Sequence, residues 1–277
     1  MKVSRLTSKG NPWLKKIRSI ASRARRIAPE LVLAEGTRVL EEVLRSGCII
    51  EAAVFSDSFG SSARERSLLE AWSRRNIRLF RVPDAIFASL SDVRTPQGAL
   101  AVVHVPEPSL DEIAPGPNPL ILYACGIQDP GNLGTLIRAA AAAGAAMVCT
   151  SKGTVSARNP KAIRSSAGAF FHIPLVENTD PEDFRAYCRR WSIHLFRTDP
   201  RSGVPYDTQE LRGPCAILLG SEGAGVVEKE FACCPALRIP MAEGVESLNV
   251  AMAGAIILFE VLRQRSNPQE PARRRPG

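Results

Sequence analysis

The feature that most narrows the fold is an alternation. Short apolar runs of strand length take turns with segments whose apolar residues recur at helical spacing, and the pattern breaks once, at a proline-rich stretch. Strand-like runs at 31–34, 49–55, 77–82 and 99–104 alternate with helical patterns at 36–46 and 62–75. Gly47 closes the first helix, and Pro83 opens a further short one. Residues 105–119 then hold Pro106, Pro108, Pro115, Pro117 and Pro119, which read as a linker. Beyond it, strand-like runs at 120–125, 146–150, 172–176, 193–197, 215–220 and 236–239 alternate with helical patterns at 131–143, 160–167, 181–191 and 248–265. Strict alternation of this kind predicts α/β architecture, with a parallel sheet in the second half. Ahead of both lies 12–27, with Trp13, Leu14, Ile17, Ile20, Ala21, Ala24 and Ile27 at helical spacing and basic residues on the other face.

Composition excludes several classes. With 277 residues, 45% hydrophobic and 23% charged, the chain can bury a substantial core and is neither disordered throughout nor a small disulfide scaffold. The longest apolar runs, 139–149 and 250–259, each contain a glycine and fall short of the roughly 18–20 residues that span a bilayer. No apolar signal segment follows the basic N-terminus. Seven cysteines occur without a C-x-x-C pair, most of them in strand-like runs, and predict reduced core thiols. No histidine lies near Cys233 and Cys234, so no metal site is expected. These readings place the protein in the cytoplasm, with no membrane and no metal.

The net charge of +8 is concentrated at the ends. Residues 1–30 carry nine basic side chains against Glu30, and 263–277 carry five against Glu270, which leaves a body with a balance of −4. Basic ends on such a body suggest a polyanionic partner, nucleic acid first, against the plain alternative of solubility.

In an open α/β sheet, ligands bind in loops beyond the carboxyl ends of strands. Three such loops stand out. The first, 129–138, opens a helix and carries Asn132, Gly134 and Arg138. The second, 218–226, is a glycine-rich turn with Glu222, and matches neither a P-loop nor G-x-G-x-x-G. A carboxylate there suits a neutral or cationic ligand better than a phosphate. The third, 239–251, runs from Ile239-Pro240-Met241 to Ser247, Leu248 and Asn249 at the start of an apolar helix, where Ser247 also reads as a plain N-cap.

Together the three loops resemble the three motifs of the SpoU class (TrmH-like) of SPOUT RNA methyltransferases, in that family's order. The likeness covers about 120–262, and Leu33-Ala34-Glu35-Gly36 with Thr95-Pro96-Gln97-Gly98 resembles the substrate-binding domain that often precedes it. The resemblance implies an α/β chain with a C-terminal parallel-sheet SPOUT domain tied in a deep trefoil knot, preceded by a small L30e-like α/β domain. The domains implied are 1–105 for RNA binding, 106–118 as linker, 119–265 for methyl transfer and 266–277 as a disordered basic tail. The activity implied is S-adenosylmethionine-dependent methylation of a ribose 2′-hydroxyl, in ribosomal RNA ahead of transfer RNA, by a homodimer whose active site is completed across the interface. The alternative is a non-catalytic RNA-binding protein on the same fold. Catalytic roles fall to Asn132, Arg138, Glu222, Ser247 and Asn249, and cofactor contacts to Leu219, Gly220, Gly225, Ile239, Met241 and Leu248. For Arg138, general base and phosphate clamp both stay open. Arg158, Lys161 and Arg164, in a segment that also resembles the family, are candidates for RNA contact, as are Lys15 and Arg18 on the N-terminal helix. A further basic cluster of Arg64, Arg66, Arg74, Arg75, Arg78 and Arg81 lies in the first domain.

Overall fold

Two units emerge in the computed structural model, which describes residues 3–21, 30–221, 225–226, 229–245 and 247–267. One comprises Met1–Glu107 with Arg158–Phe171, the other Pro108–Ala157 with His172–Gly277.

The first unit is built on five strands, β1 (Val3–Arg5), β2 (Leu31–Glu35), β3 (Ile49–Ser56), β4 (Leu79–Val82) and β5 (Ala99–His104). Their order is β1-β4-β3-β5-β2. β4 pairs in parallel with β1 and β3, whereas β5 runs antiparallel to β2 and β3. Helices α1 (Pro12–Ala21), α2 (Thr37–Ser46), α3 (Ala63–Arg74) and α4 (Asp84–Ala88) alternate with them. Gly47 stops α2 in a left-handed conformation, φ 76°, that costs glycine little. Ser62 and Glu65 start α3 with a reciprocal capping box. The apolar face of α1 buries Leu14 and Ile17 against Leu33, Val54 and Phe80. Residues 22–27 of the helix expected over 12–27 lie outside the described residues.

The second unit has seven strands, and every pairing is parallel. In chain order it contains β6 (Leu120–Ala124), α5 (Pro130–Ala142), β7 (Met147–Ser151), β8 (Leu175–Thr179), α7 (Pro181–Arg190), β9 (His194–Thr198), β10 (Val204–Pro205), β11 (Cys215–Leu219), β12 (Ala236–Arg238) and α8 (Val250–Ser266), with α6 (Pro160–Ser165) between β7 and β8. The order across the sheet is β10-β12-β9-β11-β6-β7-β8. β6 and β11 are buried along their whole length, as strands covered on both faces must be, which is why they read as unbroken apolar runs. One face packs the rings of Tyr123, Phe184 and Phe231, with centroids 4.4 Å apart for Tyr123–Phe184. The buried Tyr123 hydroxyl donates to the Thr179 carbonyl at 3.0 Å. Cys125, Cys149, Cys188 and Cys215 are buried thiols, and Cys233 is exposed.

At three places the structure adds to the sequence reading. β8 begins three residues later than the strand expected over 172–176, because a 3-10 turn at Ala169–Phe171 precedes it and the ladder with β7 shifts register between Cys149 and Ser151. β1 and β10 are three and two residues long, too short to show any apolar alternation. The stretch Arg158–Phe171, expected within a continuous domain over 119–265, belongs to the first unit. There α6 packs on β2. At Gly168, φ 94°, a side chain would overlap Glu42 of α2, so only a bare backbone fits. The tail from 268 onward lies outside the described residues.

α8 crosses α5 and β11 at Gly254, which is buried. A Cβ there would overlap Leu136 Cδ2 and Leu219 Cδ1. Gly254→Val should therefore destabilise the protein by about 2 kcal/mol in urea unfolding, since forced overpacking outweighs any gain in helix propensity.

Candidate active site

The carboxyl ends of β9, β11 and β12 converge with the start of α8 around a cavity of about 870 Å³. Its apolar wall includes Leu219, Ile239, Leu248 and Ile257, and its polar side includes Ser221, Ser247, Thr198 and the turn from Asp199 to Ser202. All six residues implied for cofactor contact, Leu219, Gly220, Gly225, Ile239, Met241 and Leu248, line it. The glycine at 220 has a concrete cause. A Cβ there would coincide with the backbone of Gly225 and Val226, because the loop doubles back on itself and the Gly225 N–H donates to the Ser221 carbonyl at 2.9 Å. The result is a wall made of bare backbone, whose N–H and C=O groups can read a flat heterocycle.

The first and third motifs meet through their side chains. Asp129 caps α5 by accepting from the Asn132 N–H at 2.9 Å. Asn249 caps α8 by accepting from the N–H groups of Ala251 and Met252. Its amide nitrogen then donates to Asn132 Oδ1 at 3.0 Å. Ser247 is exposed and lines the cavity rather than capping the helix. Arg138 lies two turns along α5 at an exposed position, with no hydrogen bond or ion pair among the described residues, and it is not part of the cavity wall. Glu222 lies outside the described residues.

The residues suggested for RNA contact divide sharply. Arg158 is largely buried, pairs with Glu107 at 2.8 Å and donates to the carbonyls of Val105 and Pro106. Arg164 bridges Asp92, at 2.7 Å, and the buried Glu35, at 3.8 Å. Burial raises the Glu35 carboxyl above the usual range, against the opposing pull of the Ser91 hydroxyl and of Arg164. Both arginines thus tie Arg158–Phe171 into the first unit. Arg18 reaches the Lys9 carbonyl at 2.8 Å, while Lys15 and Lys161 are exposed. In the further cluster, Arg64 forks onto Glu41 at 2.6 Å, Arg81 pairs with Asp57 and Arg78 lies over the Trp13 ring.

The turn after β9 was missed by motif reading. Asp199 Oδ1 accepts from the N–H groups of Arg201 and Ser202, and Oδ2 from Arg197 at 2.8 Å and the Ser202 hydroxyl at 2.5 Å. Partial burial opposes ionisation of Asp199, but these four donors outweigh it and hold the carboxyl well below the usual range. The signal available was positional: β9 neighbours β11 in the sheet, so the loop after it must flank the loop after β11. Among the described residues, no group of three or more His, Cys, Asp or Glu side chains could hold a metal, and no helix is long and apolar enough to cross a membrane.

Residues 119–259 match the model of the SpoU rRNA Methylase family, and residues 11–101 match an MRM3-like substrate binding domain. The chain therefore belongs to the SpoU rRNA methylase family. It is 32% identical to the 23S rRNA (guanosine(2553)-2′-O)-methyltransferase RlmP of Bacillus subtilis, over 94% of this chain and 99% of that protein. It is 30% identical to the mouse mitochondrial rRNA methyltransferase 3, over 84% of this chain and 67% of that one. The crystal structure of an AdoMet-bound rRNA methyltransferase from Sinorhizobium meliloti superposes with a TM-score of 0.81 at 28% identity, covering 95% of this chain and 98% of that one.

Because a carboxylate with a lowered pKa stabilises the fold above its unfolded pKa and ceases to do so as pH falls through the folded value, the effect of Asp199→Asn has a sign. The variant should lose about 2 kcal/mol in urea unfolding at pH 7 and the same at pH 6. The difference from wild type should shrink only below about pH 4, where an unfolded aspartate protonates.

Proposed function

We propose that this protein transfers a methyl group from S-adenosylmethionine to a ribose 2′-hydroxyl of ribosomal RNA. One observation carries the reading. The cavity wall is assembled from the second and third family motifs, and the Asn132–Asn249 hydrogen bond joins the first motif to the third beside it. Cavity volume, bare-backbone wall and apolar lining suit a nucleoside-bearing cofactor. When bound, that cofactor supplies a methyl already activated by the positive charge on sulfur, so no metal is required.

The chain's own residues supply binding and alignment. Leu219, Ile239 and Leu248 enclose the cofactor, and the backbone of Gly220 and Gly225 limits its pose. A 2′-hydroxyl is a weak nucleophile, and holding it in line with the methyl is the larger share of the catalytic task. Arg138, with its planar cationic fork, clamps the phosphate and ribose rather than removing a proton. Asn132 and Asn249, locked together, set the end of α5 from which Arg138 acts. Ser247 stands at the cavity edge, where the ribose enters.

We also infer a homodimer and the trefoil knot. Met252, Ile256 and Phe259 form an exposed apolar stripe along α8, 60%, 36% and 47% exposed, on the helix that begins at the cavity. A second copy would cover this stripe and bring a second set of motifs to the site. For the knot, the supporting fact is the strand order: the chain passes from β11 beyond β9 to form β12, then returns through α8 to pack on α5 and β11. The compartment is the one in which ribosomal RNA is made, the cytoplasm for a bacterial chain.

Two outcomes test the reading. Arg138→Ala should abolish methyl transfer, at least a hundredfold in kcat, while calorimetry gives S-adenosylmethionine affinity within about twofold of wild type. Cofactor binding lost together with transfer would refute the assignment. Phe259→Asp should convert the dimer to a monomer in light scattering and depress kcat without unfolding the chain, because it places a charge in an apolar contact.

A further inference from the structure

Arginines crowd one side of the cavity. Four charged side chains line it among the described residues: Asp199 against Arg197, Arg201 and Arg238. S-adenosylmethionine is itself a net cation, with a sulfonium, an ammonium and one carboxylate. Such a cofactor offers an exposed guanidinium on the rim little to bind beyond its single carboxylate.

The geometry of the arginines separates them into two classes. Arg197 is spent on Asp199, whose two oxygens are each filled by two donors. Arg201 and Arg238 are exposed. The Arg201 guanidinium has no hydrogen bond or ion pair among the described residues, although its backbone N–H is fixed on Asp199. Arg238 is held by one bond, from its Nε to the Gly203 carbonyl at 3.0 Å, which leaves both terminal nitrogens without a protein acceptor among the described residues. The turn that carries Arg201 is itself anchored. At Gly203, φ 126°, a Cβ would press into the Ala236 carbonyl of β12, so the turn lies directly on that strand. The Asp199 network fixes one end of the turn and Gly203 the other.

We infer that Arg201 and Arg238 form a phosphate clamp at the rim of the cofactor cavity, and that it holds a backbone phosphate of the RNA next to the ribose being methylated. This rests on the function proposed above and adds a positioning site to it. Two guanidiniums with free planar forks suit the oxygens of a phosphodiester. The substrate necessarily brings phosphates on both sides of the reacting ribose.

The test uses the full-length protein, in vitro transcribed 23S ribosomal RNA and S-adenosylmethionine. Arg201→Gln and Arg238→Gln should each raise the KM for RNA about tenfold with kcat less affected, and the double variant about a hundredfold. The dependence of log RNA affinity on log salt should lose about one unit of slope for each arginine removed. Calorimetric affinity for S-adenosylmethionine without RNA should stay the same or tighten. Unchanged RNA affinity and salt slope would overturn the clamp. So would a tenfold loss of cofactor affinity with the salt slope intact, which would place these guanidiniums on the cofactor's carboxylate. Arg238 also holds the turn, so Arg201→Gln, which breaks no side-chain bond among the described residues, decides the matter if the other variant fails to fold. Wild-type protein that methylates no RNA while still binding it with the full salt slope would defeat the proposed function and leave the clamp standing.

Discussion

The carboxamide of Asn249 faces two demands at once, and the site is organised by how it meets them. Its oxygen must satisfy the open N–H groups at the start of α8, and its nitrogen must find an acceptor, which it does in Asn132 at the start of α5. Two helix starts from distant parts of the sequence are thereby held side by side. Aspartate at 249 could cap α8 but could not reach Asn132 as a donor, since a carboxylate has no hydrogen to donate. The helices then pack along their length, and the bare surface of Gly254 sets how closely. Arg138, carried on α5, inherits its position from that packing.

The cavity follows from sheet topology. Parallel strands all present their carboxyl ends on the same edge, and β9, β11 and β12 are adjacent or next but one in the order. Three loops are thus brought together without any of them needing to be near another in sequence. The backbone of Gly220 and Gly225 forms the tightest part of the wall, and the Asp199 turn the most charged. Both are built on neighbouring strands.

Much of this was legible in the sequence. β6 and β11 announced themselves as uninterrupted apolar runs because both of their faces are covered, and the caps at Gly47, Ser62 and Asp129 mark helix ends for local reasons. The cofactor candidates line one cavity because the motifs sit at strand ends, where a parallel sheet gathers them. What escaped was non-local. Nothing around Arg158 or Arg164 indicates that Glu107, Asp92 and Glu35, all more than fifty residues earlier, take up their charge. The Asp199 network escaped because half of its donors are backbone N–H groups, which every turn possesses, and Arg197 and Ser202 form no recognisable motif with it. β1 and β10 exist because a neighbouring edge was open to pairing, not because their own residues demand a strand.

The assignment of Arg158–Phe171 to the first unit bears on how the protein is made and how it can evolve. As the chain emerges from the ribosome, the first unit lacks the partners of Glu107, Glu35 and Asp92 until residue 164 has been synthesised, by which time β6, α5 and β7 are already out. Its completion must wait on part of its neighbour's sequence, so the two units mature in an interleaved order. A recombination event in the proline-rich stretch would not exchange one whole unit for another. It would leave behind the fourteen-residue piece that the first unit needs.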